Sequence, residues 1–305
     1  MTSTECAWEN IPFKELTVCE NIGGGGVALV NRGFYRKQPV ALKTLFDPRV
    51  DAALKQEFMD ELLVMSKLRH KNVVALIGAC MEPPNLCVVM ELCEGSLHQA
   101  LHGSNRFFSV QHLTRIAQDV ASGMRFLHSF SPAVIHRDLK SHNVLLDSSG
   151  TAKLCDFGLV CTKFTTAGTP SYMPPELLSG KPFSKAVDVF MFGILLWEIF
   201  TREIPFQGYD IADIRRKVLA GERFRVPTLD CPEPCQILMR RCWDGESSRR
   251  PTFEEIHDTL NSITVSTSHV DRQNYHSQHH QHSFASSSSS SAFEGDALDG
   301  LLRGK

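Results

Sequence analysis

The chain has 305 residues, of which 42% are hydrophobic and 22% charged, the balance of a soluble globular protein able to bury a sizeable core. Lys and Arg number 32 against 34 Asp and Glu, a formal net charge of -2, so no overall field directs it to nucleic acid or an anionic membrane. The N-terminus MTSTECAWENIPF lacks a basic region followed by an apolar run, so no signal peptide is expected. The most apolar stretch, 186–200, is too short to span a bilayer and carries Asp188 and Glu198. The 10 cysteines include no CxxC pair, which fits free thiols in a reducing compartment, cytoplasmic or nuclear.

In chain order, residues 11–89 are β-rich, with short runs at 27–30, 40–45 and 86–90 broken by turn residues. One helix interrupts them: Phe58, Leu62, Met65 and Leu68 recur at helical spacing, which predicts an amphipathic helix over 52–68. Past Leu97 the texture turns helical, over 110–128, 186–200, 211–220, 235–242 and 253–263. The expected architecture is α+β and two-lobed. An N-terminal extension (1–10) precedes a domain over 11–263, made of a small β-rich lobe (11–90) and a larger helical lobe (91–263), with a ligand cleft between them. From 264 to 305 the chain is polar and of low complexity, with His279, His280 and His282 and a serine run at 286–291. Such a tail cannot bury enough apolar surface to offset its ordering entropy and is expected to be disordered. Its histidines lack acidic or cysteine partners at metal-site spacing.

The chemistry-bearing residues begin at Ile22-Gly23-Gly24-Gly25-Gly26-Val27-Ala28-Leu29-Val30, where glycines at a strand turn leave backbone N–H groups free to approach phosphates. Val40-Ala41-Leu42-Lys43 follows, a β-prone run ending in a lysine able to reach those phosphates. A carboxylate must hold that lysine. Glu61 lies near the apolar face of the predicted helix; Glu57, one turn earlier, competes, and the spacing to Leu68-Arg69-His70 favours Glu61. Next comes His136-Arg137-Asp138-Leu139-Lys140-Ser141-His142-Asn143, and then Asp156-Phe157-Gly158. Phosphoryl transfer needs a carboxylate near the attacking hydroxyl, oxygen ligands for Mg²⁺ and positive charge on the transferred group. Asp138 would orient the hydroxyl and accept its proton, Lys140 would neutralise γ-phosphate charge, and Asn143 and Asp156 would ligate Mg²⁺. Leu139, Ser141 and His142 receive no chemical role.

With Pro174-Pro175-Glu176, these segments occur in an order that resembles the protein kinase family over about 8–263. Trp8 to Phe13, and Cys242-Trp243 with Arg250-Pro251-Thr252-Phe253, look like the tyrosine-kinase-like group, which includes Raf and mixed-lineage kinases and mostly phosphorylates Ser or Thr. Lys140, and Gly168-Thr169 ahead of the PPE segment, are similar to Ser/Thr-directed members. The resemblance implies ATP and Mg²⁺ as cofactors and proteins with Ser or Thr as substrates. It puts Met90 at the back of the adenine pocket and Glu91-Leu92-Cys93 at the hinge, with Val30, Ala41 and Leu145 around the adenine ring. It also implies a spine of Met65, Leu76, His136 and Phe157, an Asp188 that holds the catalytic loop, a Glu176–Arg250 salt bridge, and a Cys155 that faces the nucleotide. Thr162, Thr165 and Thr166 are candidates for phosphorylation by an upstream kinase or by the chain itself, with Arg137 as phosphate partner.

Ala28 stands where the third glycine is usual and Val27 where an aromatic is, so the phosphate lid closes less tightly. Pro174 replaces a usual Ala and Ser247 a usual Pro. The rival reading is a catalytically silent scaffold, which usually breaks the set Lys43, Glu61, Asp138, Asn143 and Asp156; none is broken here. Tyrosine or dual specificity is a further alternative, separable by the identity of the phosphorylated residue.

Overall fold

In a computed structural model of the protein, the described residues are 8–25, 28–45, 52–83, 85–103, 107–156 and 168–263, without the side chains of 25, 28, 45, 52–55 and 57. The expected disordered tail at 264–305 lies outside them. The strands of the small lobe are β1 (Glu9–Asn10), β2 (Leu16–Gly25), β3 (Ala28–Tyr35), β4 (Gln38–Leu45), β5 (Leu76–Cys80) and β6 (Cys87–Glu91). They form a six-stranded sheet in the order β1-β5-β6-β4-β3-β2. Its first strand is made of residues that the sequence assigns to the extension ahead of the domain: Glu9 and Asn10 pair in parallel with Gly78 and Ala79. The period of two along β4 sorts its side chains. Val40 and Leu42 are fully buried in a cluster with Ile11, Cys80 and Val89, whereas Ala41 and Lys43 point to the opposite face.

The helix between β4 and β5, α1 (Ala52–Met65), buries Phe58, Leu62 and Met65. It ends short of the expected residue 68 because its last turn tightens: Lys67 N donates to Val64 O and Leu68 N to Met65 O, both i to i+3 bonds. Leu68 is still buried.

The large lobe contains α2 (Leu97–His102), α3 (Val110–His128), α4 (Pro175–Leu178), α5 (Ala186–Thr201), α6 (Ile211–Leu219), α7 (Glu233–Cys242) and α8 (253–263). It also holds a second sheet, β7 (Gly95–Ser96), β8 (Val144–Leu146) and β9 (Ala152–Leu154), in the order β7-β8-β9. These short strands carry too little periodicity to stand out in the sequence. Side-chain caps fix several helix starts: Ser96 and Gln99 form a capping box on α2, Ser109 accepts from His112 N, and Asp210 from Asp213 N. From Val187 to Phe200 every residue of α5 is buried, so this helix runs through the core and shows no polar stripe. A Cβ on Gly123 of α3 would stand 2.7 Å from Asn72 O and 2.8 Å from Leu154 Cδ1; glycine there lets α3 pack directly on β9. No helix among the described residues is long and apolar enough to cross a membrane.

Candidate active site

The loop 136–143 is hung from α5. Asp188 in the first turn of α5 is fully buried, and its carboxylate accepts from His136 N (2.9 Å), Arg137 N (2.8 Å) and His128 Nε2 (2.8 Å). Those donors offset a desolvation cost that would otherwise exclude the charge. Near the other end of α5, Glu198 is likewise fully buried; it accepts from Ser141 Oγ at 2.6 Å and from Tyr172 OH. Ser141, without a role in the sequence reading, is thus an anchor of the loop. Only the fold brings residue 198 beneath residue 141, so no local signal marks it.

Between these anchors, Asp138 faces a converging set of donors. Its Oδ1 accepts from Thr169 N (3.1 Å) and Thr169 Oγ1 (2.9 Å), and its Oδ2 from Asn143 Nδ2 (2.9 Å), with Lys140 Nζ 2.7 Å away. Lys140 also donates to Thr169 Oγ1 at 2.7 Å. Gly168 precedes this threonine at φ 140°, and a Cβ there would stand 2.9 Å from Met173 Cε, so the backbone that delivers Thr169 requires glycine. Asn143 Nδ2 also donates to Asp138 O (2.8 Å), which leaves Asn143 Oδ1 with no hydrogen bond among the described residues.

Across the cleft, Lys43 Nζ lies 2.8 Å from Glu61 Oε1 and 3.3 Å from Asp156 Oδ1. Burial by itself would lower the lysine pKa, but Glu61 and Asp156 outweigh it and raise it above the ordinary value. Lys43 and Glu61 are mostly buried, whereas the Asp156 side chain is 51% exposed. Asp156 sits at φ 65°, an uncommon conformation for a non-glycine residue and one seen at functional sites. The side chain of the competing Glu57 is not among those described. Mg²⁺ takes hard oxygen ligands, and the unengaged carbonyl oxygen of Asn143 together with the Asp156 carboxylate fits that requirement.

The Gly-rich turn joins β2 to β3, with Gly23 opposite Val30, Gly24 opposite Leu29 and Gly25 opposite Ala28; Gly26 and Val27 lie outside the described residues. Ile22 is 42% exposed at its edge. Asn21, which sequence reasoning missed, donates to Gly23 O (3.0 Å) and Val30 O (3.2 Å), bridging the strands at the root of the turn. On the next strands Ala41 pairs with Met90 and Val30 with Lys43, which lines these positions up beneath the turn. Met90, Cys93 and Leu145 are partly buried. Glu91 has a structural task besides its backbone: its carboxylate accepts from Ala75 N (2.7 Å) and Lys153 Nζ (3.1 Å). Burial, then the Glu91 charge, push the Cys93 thiol up to about 12. The Cys155 thiol is pushed up too, first by burial and then by Asp156.

Of the expected spine, Met65 and His136 are buried and Leu76 is partly so, while Phe157 lies outside the described residues, as do Thr162, Thr165 and Thr166. Arg137 is buried, with its guanidinium 5.0 Å from the Phe183 ring centroid. Glu176 and Arg250 pair through two bonds, of 2.6 and 2.9 Å.

Residues 16–260 match the family described as protein tyrosine and serine/threonine kinase. Serine/threonine-protein kinase CTR1 of Arabidopsis thaliana is 37% identical over 271 residues, covering 84% of this chain and 32% of that protein. Serine/threonine-protein kinase STY17 of the same plant is 37% identical over 264 residues (84% of this chain, 46% of that protein). The probable serine/threonine-protein kinase drkD of Dictyostelium discoideum is 38% identical over 255 residues (82% and 20%). The chain thus spans less than half the length of these curated relatives. A family match over most of the chain, on a fold that gathers Lys43, Glu61, Asp138, Asn143 and Asp156 about one cleft, makes this chain a member of the protein kinase family.

Proposed function

We propose that the chain is an active protein serine/threonine kinase of the tyrosine-kinase-like group, which transfers the γ-phosphoryl group of ATP to serine or threonine hydroxyls of other proteins. The observation that carries this reading is the triangle of Asp138, Lys140 and Thr169, with contacts of 2.7 to 2.9 Å. It sets a carboxylate and an ammonium side by side at the mouth of the loop, the pairing that in-line transfer to an aliphatic hydroxyl requires. The serine/threonine names of the relatives support the same specificity. Asp138 orients the acceptor hydroxyl and takes up its proton as oxygen attacks the γ-phosphorus; the bond from that phosphorus to the β,γ-bridging oxygen breaks and ADP departs. Lys140 offsets charge on the transferred group, and Lys43, held by Glu61, steadies the remaining phosphates. Mg²⁺, when held by Asn143 and Asp156, neutralises phosphate charge. Ile22 to Val30 cover the phosphates, Ala41, Met90 and Leu145 enclose the adenine, and the backbone of Glu91 to Cys93 meets its edge. Phosphorylation at Thr162, Thr165 or Thr166 would regulate the enzyme, and a cytoplasmic site of action is consistent with the free thiols.

The test is an assay with ATP and Mg²⁺ on a peptide library, reading the phosphorylated residue and its flanking preference. Phosphoserine and phosphothreonine, lost in Asp138→Asn, are expected. No transfer to any peptide would favour the scaffold, and phosphotyrosine would favour the broader specificity.

A further inference from the structure

Beneath the catalytic loop, two further side chains converge on Glu198, the buried acid that holds Ser141. Helix α2 carries His98 and His102 at i and i+4, which puts both imidazoles on one face, and the capping box at Ser96 fixes that short helix. Glu198 approaches this face from α5. One ligand atom from each residue lies within 4.8 Å of the others; His102 Nε2 is 2.9 Å and His98 Nδ1 3.7 Å from Glu198 Oε1. In a tetrahedral zinc site with bonds of about 2.0–2.2 Å, donor atoms stand roughly 3.3 Å apart, a separation that these two contacts bracket.

Charge gives a second reason. Glu198 is fully buried, and among the described residues neither lysine nor arginine pairs with it; its partners are two hydroxyls and the two imidazoles. Like Asp188, Glu198 is held by hydrogen-bond donors without a lysine or arginine, and a divalent cation would add the full positive charge that these do not supply. Two imidazoles and one carboxylate are a donor set suited to Zn²⁺. The His98 side chain is 24% exposed, so the ion has a way in.

We propose that His98, His102 and Glu198 form a zinc-binding site under the catalytic loop, with water as the fourth ligand. A carboxylate only accepts, so in the hydrogen-bonded arrangement His102 carries its proton on Nε2. Ser141 Oγ donates to Glu198 and stands 3.3 Å from His98 Nδ1, which places the His98 proton on Nδ1. On coordination each proton moves through solvent to the other ring nitrogen, so two neutral rings bind the ion with no net proton release. Glu198 Oε1 then turns from Ser141 to the metal. The site adjoins the loop directly, because the ring of His142 stacks on His98 with centroids 3.7 Å apart.

The test is titration of the full chain with Zn²⁺ against a chromophoric chelator, and with Co²⁺ followed by its visible absorption. A background in which the tail histidines His269, His276, His279, His280 and His282 are replaced by Gln removes their contribution. One saturable equivalent is expected, with Co²⁺ bands of a four-coordinate site and no thiolate charge-transfer absorption. His98→Gln and His102→Gln should each weaken it by more than about tenfold. Should His102→Gln fail to fold, His98→Gln decides alone. No saturable equivalent, equal affinity in wild type and His98→Gln, or a thiolate charge-transfer band overturns the proposal and leaves a purely hydrogen-bonded His–Glu–Ser–Tyr network. None of these readouts depends on phosphotransfer, so the zinc site and the kinase reading fail separately.

Discussion

The two walls of the cleft are held by different means. In the large lobe one helix does the holding: Asp188 and Glu198, both fully buried and ten residues or about 15 Å apart along α5, anchor residues 136, 137 and 141 of the catalytic loop. In the small lobe Lys43 is held by one carboxylate from α1 and another from residue 156, the latter half exposed. The loop is therefore preorganised by hydrogen bonds to acids buried in the core. The lysine cluster depends on where α1 stands, and a displaced helix would undo it while leaving the α5 anchors of the loop in place. Variants on the two walls should fail differently.

The largest effect is expected from Asp138→Asn, which removes the proposed proton acceptor but keeps the shape. Turnover should drop by about 10²–10⁴-fold, with nucleotide affinity and thermal midpoint close to wild type. Single-turnover kinetics beside nucleotide titration measure both; a near-normal rate would remove Asp138 from the chemistry.

Next is Asp188→Ala, which strands the buried donors of His128, His136 and Arg137. Denaturant unfolding should show a loss of about 3–5 kcal/mol, with Asp188→Asn milder because an acceptor survives. A loss under about 1 kcal/mol would mean that the loop is not hung from α5.

On the opposite wall, Lys43→Met should cost activity, with a smaller loss of stability than Asp188→Ala because the Lys43 cluster is less buried. Glu61→Gln should impair transfer more than Glu57→Gln, and the reverse ranking would move the partner role to Glu57. The raised pKa of Lys43 fixes the sign of its pH dependence. The stabilisation is complete below the ordinary lysine value and fades as pH rises through the higher folded one, so neutral buffers should show no titration of Lys43.

The smallest effect concerns Cys155, whose thiolate is disfavoured by burial and by Asp156. Free electrophiles should label it slowly; an electrophile carried by an ATP-competitive ligand should label it faster, and excess ATP should block this. Intact mass on wild type and Cys155→Ser reads the result, and equal adducts would point first to Cys93.

Much of the lobe order was legible because strands and helices announce themselves by period: β4 alternates, α3 is a clean amphipathic helix, and α5 is apolar but for Asp188, Glu198 and its terminal Thr201. The strand Glu9–Asn10 and the three-residue strands β8 and β9 were not, since two or three residues carry no period. Among site residues, those in short contiguous motifs stood out, whereas Asn21, Ser141 and Glu198 did not, because their tasks are defined by partners far along the chain or by a bulge in β2.

The sequence by itself determined which residue types the chain would bring to the proposed phosphoryl transfer and in what order, because such chemistry tolerates few substitutes and packs its groups into short segments. The sequence already favoured Glu61 for Lys43, and the family resemblance already implied Thr169 as a contact of Asp138 and Lys140 and Asp188 as a holder of the loop. Only the tertiary structure decided that Glu198, on the same helix, holds Ser141 beneath that loop and that Asn21 bridges the strands at the root of the Gly-rich turn. The reason is physical: a side chain's role is set by the donors and charges within a few ångströms, and in a folded chain most of those neighbours come from elsewhere in the sequence.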